Sequence, residues 1–487
     1  ERVFRNAALP MVTSFLTKAI DFGFAALMLR ILGVAAVGDY TWAVVMVGYF
    51  EILTNFGLNA LIIREVSRQR DRAGRYLADA ILLRLALCLV SLPVVALIVL
   101  LGSTWLKIES RAIIAFLLLA LALIPGNVTT TLSALFYAWE RIEIPSGVSV
   151  ATALARVTLS TAALLAGAGI IGLAAIALLL NLVLVVVFLI VARRSLYLTL
   201  TGPVPADLPE MINESFPLLI NNVLVTVFFK IDVLLLLAFQ GNEALGYYAT
   251  AYKWVDGTLI VPSTFTFAVY PALSRFAQEK GEGLRAAYEI AARVLLTIGI
   301  PITVAIFFLS GDLILLLGGQ AYYPQSAVAL AILIWFLPFS YLNGLTQYAL
   351  IAVNHQRFIT IAFLIATSFN LIANFLLIPR YSFLAAAVVT VLSEIILMLP
   401  FLYAVGQRIG MPNWLQTAGK PTLAGLAMGL VAYLGRAIEP HLALVLGAAV
   451  YVGAIWLLKT FSSDEVAALN RVMGALRKKA APTPVEA

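Results

Sequence analysis

The chain has 487 residues, of which 62% are hydrophobic and only 12% charged, with a formal net charge of +7 and a mean hydropathy of +1.00. That apolar share lies far above the roughly one half of soluble proteins, so the composition excludes a water-soluble globular protein and predicts an integral membrane protein. Polarity that alternates in ~10-residue strands is absent, which excludes a β-barrel, and the positive balance reports membrane topology rather than nucleic acid.

The first residues run straight into an apolar segment without a small-residue cleavage site, so no removable signal peptide is expected. From there, apolar stretches long enough to cross a ~30 Å hydrocarbon core recur along the chain. Fourteen spans are predicted, at 8–32, 36–63, 76–102, 111–139, 146–169, 172–192, 213–239, 246–273, 286–309, 325–353, 358–378, 383–405, 419–436 and 441–459. The single cysteine, Cys88, lies within the third, so no internal disulfide can form. With the N-terminus inside, twenty-one Lys and Arg fall in cytoplasmic segments, among them Arg64, Arg68, Arg193, Arg194 and the run Arg477 to Lys479, while five fall outside: Arg30, Lys107, Arg111, Arg380 and Arg436. The asymmetry places both termini on the cytoplasmic side of the inner membrane.

The outer connections are short, the longest being SGDLILLLGGQAYYPQ from Ser310 to Gln325. A proline-bearing stretch at 195–210 reads as a linker between two halves. The halves repeat: Gly38, Tyr40 and Ala43 answer Gly246, Tyr248 and Ala251 at an offset of 208 residues, Pro93 answers Pro301 at 208, and Arg84 answers Arg293 at 209. Six spans separate the copies, so both start from the same side of the membrane and form a parallel repeat of a kind typical of secondary transporters. The expected architecture is all-α: a six-helix bundle over 1–194, the linker, a second six-helix bundle over 211–407, two additional helices over 408–460, and a cytoplasmic amphipathic tail over 461–487. In that tail Ser463 and Asp464 read as caps and Val466 to Leu476 as an apolar stripe.

Eleven ionisable residues lie well inside the spans: Lys18, Asp21, Glu51, Arg84, Arg156, Lys230, Asp232, Lys253, Asp256, Arg293 and Glu394. At about 2.5–3.5 kcal/mol each they cannot all face lipid, so they must face one another or water. Helical spacing aligns Glu51 with Asn55 and Asn59, Asn222 with Lys230, and Tyr252 with Asp256, which makes spans 1, 2, 7 and 8 the expected walls of a polar cleft. Asn343 and Gln347 extend that lining to span 10, with Asn370 and Asn374 on span 11. Several of these have a plainer reading. Lys18 with Asp21 and Lys253 with Asp256 stand at i, i+3 and suit intrahelical ion pairs; Arg84 and Arg293 are close enough to cytoplasmic ends to snorkel; the amides suit interhelical bonding. Lys230 and Asp232 lie about 200° apart around a helix and must find separate partners. No P-loop, HExxH motif, nucleophile dyad or metal cluster is present in the sequence, so no enzyme, cofactor or metal is expected.

Three segments carry a resemblance: RILGVAAVGDYTWA (Arg30 to Ala43) with FGLNALIIREVSR (Phe56 to Arg68), KIDVLLL followed by LGYYATAYKW, and NLIANFLLIPRYSFLAAAVVTVLSE (Asn370 to Glu394). With these in order, the chain resembles the polysaccharide transporter branch of the multidrug/oligosaccharidyl-lipid/polysaccharide (MOP) exporter superfamily, and within it the Wzx-type O-antigen flippases. The family pattern has glycines after the tyrosine where Ser382, Phe383 and Leu384 stand here. The resemblance implies movement of undecaprenyl-pyrophosphate-linked oligosaccharide from the inner to the outer leaflet by alternating access, coupled to H+ or Na+, with membrane lipids and glycan polymerase machinery as partners. Under it, Lys18, Arg30, Lys230 and Lys253 hold the pyrophosphate, Arg84 and Arg293 guide it at the cytoplasmic mouth, and Asp21, Glu51, Asp232 and Asp256 take the coupling ion. The rivals are lipid II export, a MATE-type drug/cation antiporter, and, from another class, a membrane glycan polymerase or ligase.

Overall fold

The computed structural model of the chain describes residues 2–104, 108–196, 202, 208–279, 283–462 and 465. Lys107 and most of the tail from Ser463 onward, including Arg477 to Lys479, lie outside these. Among the described residues there is no strand. The first half comprises α1 (Arg2–Leu32), α2 (Val34–Asn55), α3 (Leu58–Arg68), α4 (Ala73–Thr104), α5 (Ser110–Ala138), α6 (Glu143–Leu165) and α7 (Gly169–Leu196). After residue 207 follow α8 (Leu208–Thr258), α9 (Ile260–Gln278), α10 (Gly283–Leu317), α11 (Gln325–Leu333), α12 (Leu337–Ala352), α13 (Gln356–Arg408), α14 (Lys420–Gly435) and α15 (Pro440–Leu457). Large apolar side chains are widely exposed, with Leu89 at 66%, Val90 at 72% and Trp456 at 78%. Such a surface is tolerable in lipid and not in water, so the chain is a multi-pass membrane protein.

Ten helical stretches are long and apolar enough to cross a bilayer among the described residues. Two of them, Leu208–Gln278 with 71 residues and Gln356–Arg408 with 53, far exceed the ~20 residues that one crossing needs. Each is bent where the sequence predicts a loop: α8 at Gly241, with φ 80°, and α13 at Ser382, with φ 53°. Gly241 adopts that conformation without a Cβ penalty. Ser382 carries one, at the position where the family pattern has glycine. Other breaks fall inside predicted spans. Span 2 divides at Phe56 and Gly57, both left-handed, because Gly57 lies so close to α8 that a Cβ would meet that of Leu218 at 2.7 Å. Span 8 divides between Thr258 and Ile260, and span 10 passes through a 3-10 turn at Ile334–Phe336.

The helices gather into two compact units. The first contains residues 1–260, 310–333 and 360–397; the second contains 261–309, 334–359 and 398–487. In the first, α5 packs on α7, α1 on α6, and α2 on both α5 and α8. A core of Leu58, Ile62, Leu77, Leu132, Leu135 and Phe136 ties α3, α4 and α5 together. In the second, α14 and α15 pack closely, with Val304 of α10 sharing their core of Met428, Ala432 and Tyr451.

The predicted repeat has a physical counterpart in the first unit. Gly33 and Gly241, 208 residues apart, share one backbone conformation, φ 76° with ψ 171° and φ 80° with ψ −175°. Five residues further on, Gly38 and Gly246 let α2 and α8 touch. A Cβ on Gly38 would lie 1.9 Å from the Asn242 carbonyl oxygen, and one on Gly246 would lie 2.1 Å from that of Val34. Since 34 pairs with 246 and 38 with 242, the contact is reciprocal, as an isologous contact about a local two-fold axis must be. Small residues permit such approach where lipid supplies no hydrophobic drive between helices.

Candidate functional site

Packing at one level of α1 fixes chemistry at another. Met28 of α1 meets Leu164 of α6 in a small buried cluster with Leu173. Two turns back along each helix, Asp21 and Arg156 form an ion pair, both side chains about half exposed. On its other side α1 meets α8 through Phe22 and Trp254, edge to face with centroids 4.8 Å apart. That brings Lys253 beside the pair: it feels the charges of Asp256, Lys230, Asp21 and Arg156. Lys230 stands 4.8 Å over the ring of buried Tyr252. Five charged groups from both halves of the repeat therefore converge within the first unit. Three are cations and two are carboxylates, and the buried Asp232 carboxylate also feels the charge of Lys230, so positive and negative groups balance.

The remaining predicted residues distribute differently. Lys18 and Asn222 are exposed, and Asp21 pairs with Arg156 across helices rather than with Lys18 one turn away. Arg30 is exposed at the end of α1, donating to the Leu316 carbonyl at 2.6 Å. Glu51 is exposed. Arg84 is fully buried and donates to the Asn127 carbonyl at 2.8 Å, Thr130 Oγ1 at 2.7 Å, Asn55 Oδ1 at 2.7 Å and Asn59 Oδ1 at 2.7 Å. Asn55 and Asn59 thus serve an arginine rather than an open lumen, and Arg84 bolts α2, α3, α4 and α5 together.

Its repeat partner Arg293 lies in the second unit, where it donates to the Thr460 carbonyl at 3.0 Å and to the Glu465 carboxylate at 2.8 and 2.9 Å. Ser462 and Glu465 cap each other, 2.8 Å one way and 3.2 Å the other; the predicted caps Ser463 and Asp464 lie outside the described residues. Both buried guanidiniums bind the protein's own acceptors through their terminal nitrogens, and the Nε of each is buried with no hydrogen-bond partner. Asn343 is buried and Gln347 half-buried, both in the second unit.

Asp232 is buried in a separate polar nest formed by α8 and α13. It accepts from Tyr248 and from the Val233 amide at 2.9 Å, and Tyr248 also meets Thr390 at 3.1 Å. Asn370 donates to Ser393 at 2.9 Å and accepts from Asn374 at 3.0 Å. A cavity of about 10 Å³ opens among Asp232, Tyr252, Asn370, Thr390, Ser393 and Glu394, room for one water or ion. Its walls offer two carboxylates, an amide and hydroxyls, and the nearby Asn374 Oδ1 is buried with no hydrogen-bond partner. Phe228 and Phe229 close the rest of the wall, and the oxygen-bearing side suits a hard cation or a proton. No cluster of three or more His, Cys, Asp and Glu occurs among the described residues.

Sequence reasoning singled out Arg156 and Glu394 as buried charges but gave neither a role. The signal for Arg156 is its position mid-span; its partner lies 135 residues away and no local rule finds it.

The chain matches the polysaccharide biosynthesis protein family over residues 3–277 and the MatE family over residues 217–376. A comparison with curated proteins found no match. Among solved structures it is similar to a lipid II flippase MurJ in an inward closed conformation, with TM-score 0.75, 16% identity, and coverage of 93% of this chain and 99% of that one. It is similar also to an inward-facing multidrug resistance MATE family transporter of the MOP superfamily, with TM-score 0.61, 15% identity, and coverage of 84% and 98%. A third is a MOP superfamily transporter from Pyrococcus furiosus whose binding pocket is described as reversed in polarity, with TM-score 0.61, 14% identity, and coverage of 83% and 95%. At these identities the likenesses establish the fold. The family match extends over more than half of the sequence, and the chain belongs to the polysaccharide biosynthesis protein family, built on the fold of the MOP superfamily transporters.

Proposed function

We propose that the protein is a flippase that moves undecaprenyl-pyrophosphate-linked oligosaccharide from the inner to the outer leaflet of the cytoplasmic membrane, with both termini on the cytoplasmic side. The observation that carries this reading is the cluster of Lys230, Lys253 and Arg156 with Asp21 and Asp256. A diphosphate and its sugars cannot cross hydrocarbon unescorted, because stripping their water costs several kcal/mol per group. A polar path that presents lysine and arginine side chains replaces that water, and ammonium-to-phosphate bonds are among the stronger hydrogen bonds available. The polyprenyl tail needs no path, since it stays in lipid.

In this reading Lys230 and Lys253 hold the diphosphate, while Asp21 and Asp256 keep the lysines from binding it too tightly to release. Alternating access arises from two repeat bundles, 1–194 and 211–407, moving about the α2–α8 contact, with fourteen crossings in all. The Asp232 and Glu394 nest takes the coupling H+ or Na+, and its occupancy changes the charge beside Tyr252 and hence beside Lys230. No bond in the substrate is made or broken. The experiment that tests the reading is export of lipid-linked glycan by Lys230→Ala and Lys253→Ala variants at normal membrane abundance: loss supports it, and unchanged export refutes the assignment.

Lipid II export is the second reading, favoured by the similarity to a lipid II flippase over nearly the full length. The chemistry shared by both substrates is a polyprenyl diphosphate. Complementation of strains lacking either export step separates them by the glycan alone.

A further inference from the structure

A larger cavity lies elsewhere in the first unit. Helices α1, α5, α6 and α7 border an open cleft of about 420 Å³, within the range of about 300–1,000 Å³ found for ligand pockets. Thr17, Thr129, Thr130, Ser133, Ser149 and Thr152 line it, with the Asp21–Arg156 pair on the same wall. Pro145, Leu184 and Phe188 supply an apolar face.

What the hydroxyls can do is set by where their protons already go. Thr17 donates to the Ser14 carbonyl at 3.0 Å, Thr129 to Pro125 at 3.0 Å, Thr130 to Asn127 at 3.1 Å and Thr152 to Val148 at 2.7 Å. A hydroxyl has one proton and two lone pairs, so these four face the cavity as acceptors. Thr130 accepts in addition from buried Arg84. The Arg156 guanidinium bonds Asp21 through one nitrogen, so its charge is balanced while its other N–H groups and the Ser133 and Ser149 hydroxyls can donate. The cavity therefore offers acceptors and donors together around a neutral ion pair. A diphosphate brings acceptors only and finds no excess positive charge here. A sugar ring brings hydroxyls that both donate and accept at almost every carbon, which matches such a lining.

We propose that this cavity is a glycan subsite that takes a neutral sugar ring of the transported molecule, separate from the site that holds its diphosphate. Asp21 and Arg156 belong to both, since the pair lines this cavity and also acts on Lys253, so the sugar and the diphosphate sit on either side of one ion pair. The assignment rests on the flippase reading only in taking the ring to be part of a lipid-linked glycan.

The test uses the full chain purified in detergent and titrated with methyl glycosides of glucose, galactose, mannose and N-acetylglucosamine, bound sugar being read by saturation-transfer NMR with inorganic pyrophosphate as competitor. At least one glycoside should bind. Thr152→Val with Ser149→Ala should weaken it about tenfold, as expected for losing one or two neutral hydrogen bonds. Thr152→Ser, which keeps the oxygen, should restore binding, and pyrophosphate should not displace the sugar. In a Cys88→Ala background, Ser149→Cys should lose maleimide reactivity when the glycoside is bound. Failure of all four sugars to bind, undiminished binding by a double variant that melts like the parent, or displacement by pyrophosphate overturns the proposal. Translocation of a polyprenyl-pyrophosphate glycan by the parent protein is measured in parallel. Sugar binding through Thr152 without translocation would sink the transport reading and leave the subsite standing.

Discussion

Gly38→Ala is the sharpest perturbation of the α2–α8 contact. The new methyl would sit 1.9 Å from the Asn242 carbonyl oxygen and 2.8 Å from its carbon. Those are backbone atoms, so no side chain can swing aside. Restoring an ordinary contact requires α2 and α8 to separate by about 1.5 Å, and overpacking of this kind costs about 1–3 kcal/mol. Glycine to alanine inside a helix otherwise stabilises by about 0.5–1 kcal/mol, so the sign of the change is itself diagnostic. The net cost, up to about 2.5 kcal/mol, lowers the population of the touching arrangement by up to roughly 60-fold. Spin labels on exposed Val44 and Glu243, in a Cys88→Ala background, report the spacing of the two helices by double electron–electron resonance. The distribution should shift to longer distances and the melting temperature should fall. Gly246→Ala should act likewise through Val34, and the double variant should cost less than the sum of the two, because one separation relieves both clashes. A distribution and a melting temperature unchanged by Gly38→Ala, or strict additivity, would refute the reciprocal contact.

Arg84→Met should destabilise by about 1–3 kcal/mol, since it removes four hydrogen bonds that tie α2, α3, α4 and α5 together, and thermal unfolding checks it. Asp21→Asn should lower glycan export strongly while changing stability by under about 1 kcal/mol, because the pair with Arg156 is half exposed; equal losses in both assays would mark the pair as structural. Asp232→Asn keeps the shape of the nest but removes a charge, so Na+- or pH-dependent export and any Na+-induced thermal shift should vanish, whereas persistence of both removes the nest from coupling. Ser382→Gly should raise the melting temperature, relieving a positive φ that costs a non-glycine residue about 1–3 kcal/mol.

The parts of this architecture that were legible in the sequence are those governed by local or periodic rules. Apolar length predicts a multi-pass helical protein, of whose fourteen expected spans the described residues show ten apolar stretches, and the 208-residue offset predicts the reciprocal glycines, because a repeated close approach demands a missing side chain twice. The break at Phe56–Gly57 was not legible, for it depends on how near α8 lies. The charges divide along the same line. Local spacing pairs Asp21 with Lys18, yet its partner is Arg156, held opposite by the packing of Met28 on Leu164. The i, i+4 row of Glu51, Asn55 and Asn59 reads as a wet face, but two of the three close around Arg84, a buried cation on another helix. Polar residues in a membrane helix announce that they face protein or water; which of the two depends on residues far away in the chain.

The most direct measurement is translocation in proteoliposomes that contain the purified chain and a fluorescent polyprenyl-pyrophosphate-linked oligosaccharide, scored by access of an external glycosidase to the sugar. The account predicts time-dependent transfer across the bilayer by the parent protein, abolished by Lys253→Ala and unaffected by added drug cations. Transfer at the rate of protein-free liposomes, or undiminished transfer by Lys253→Ala, would contradict it.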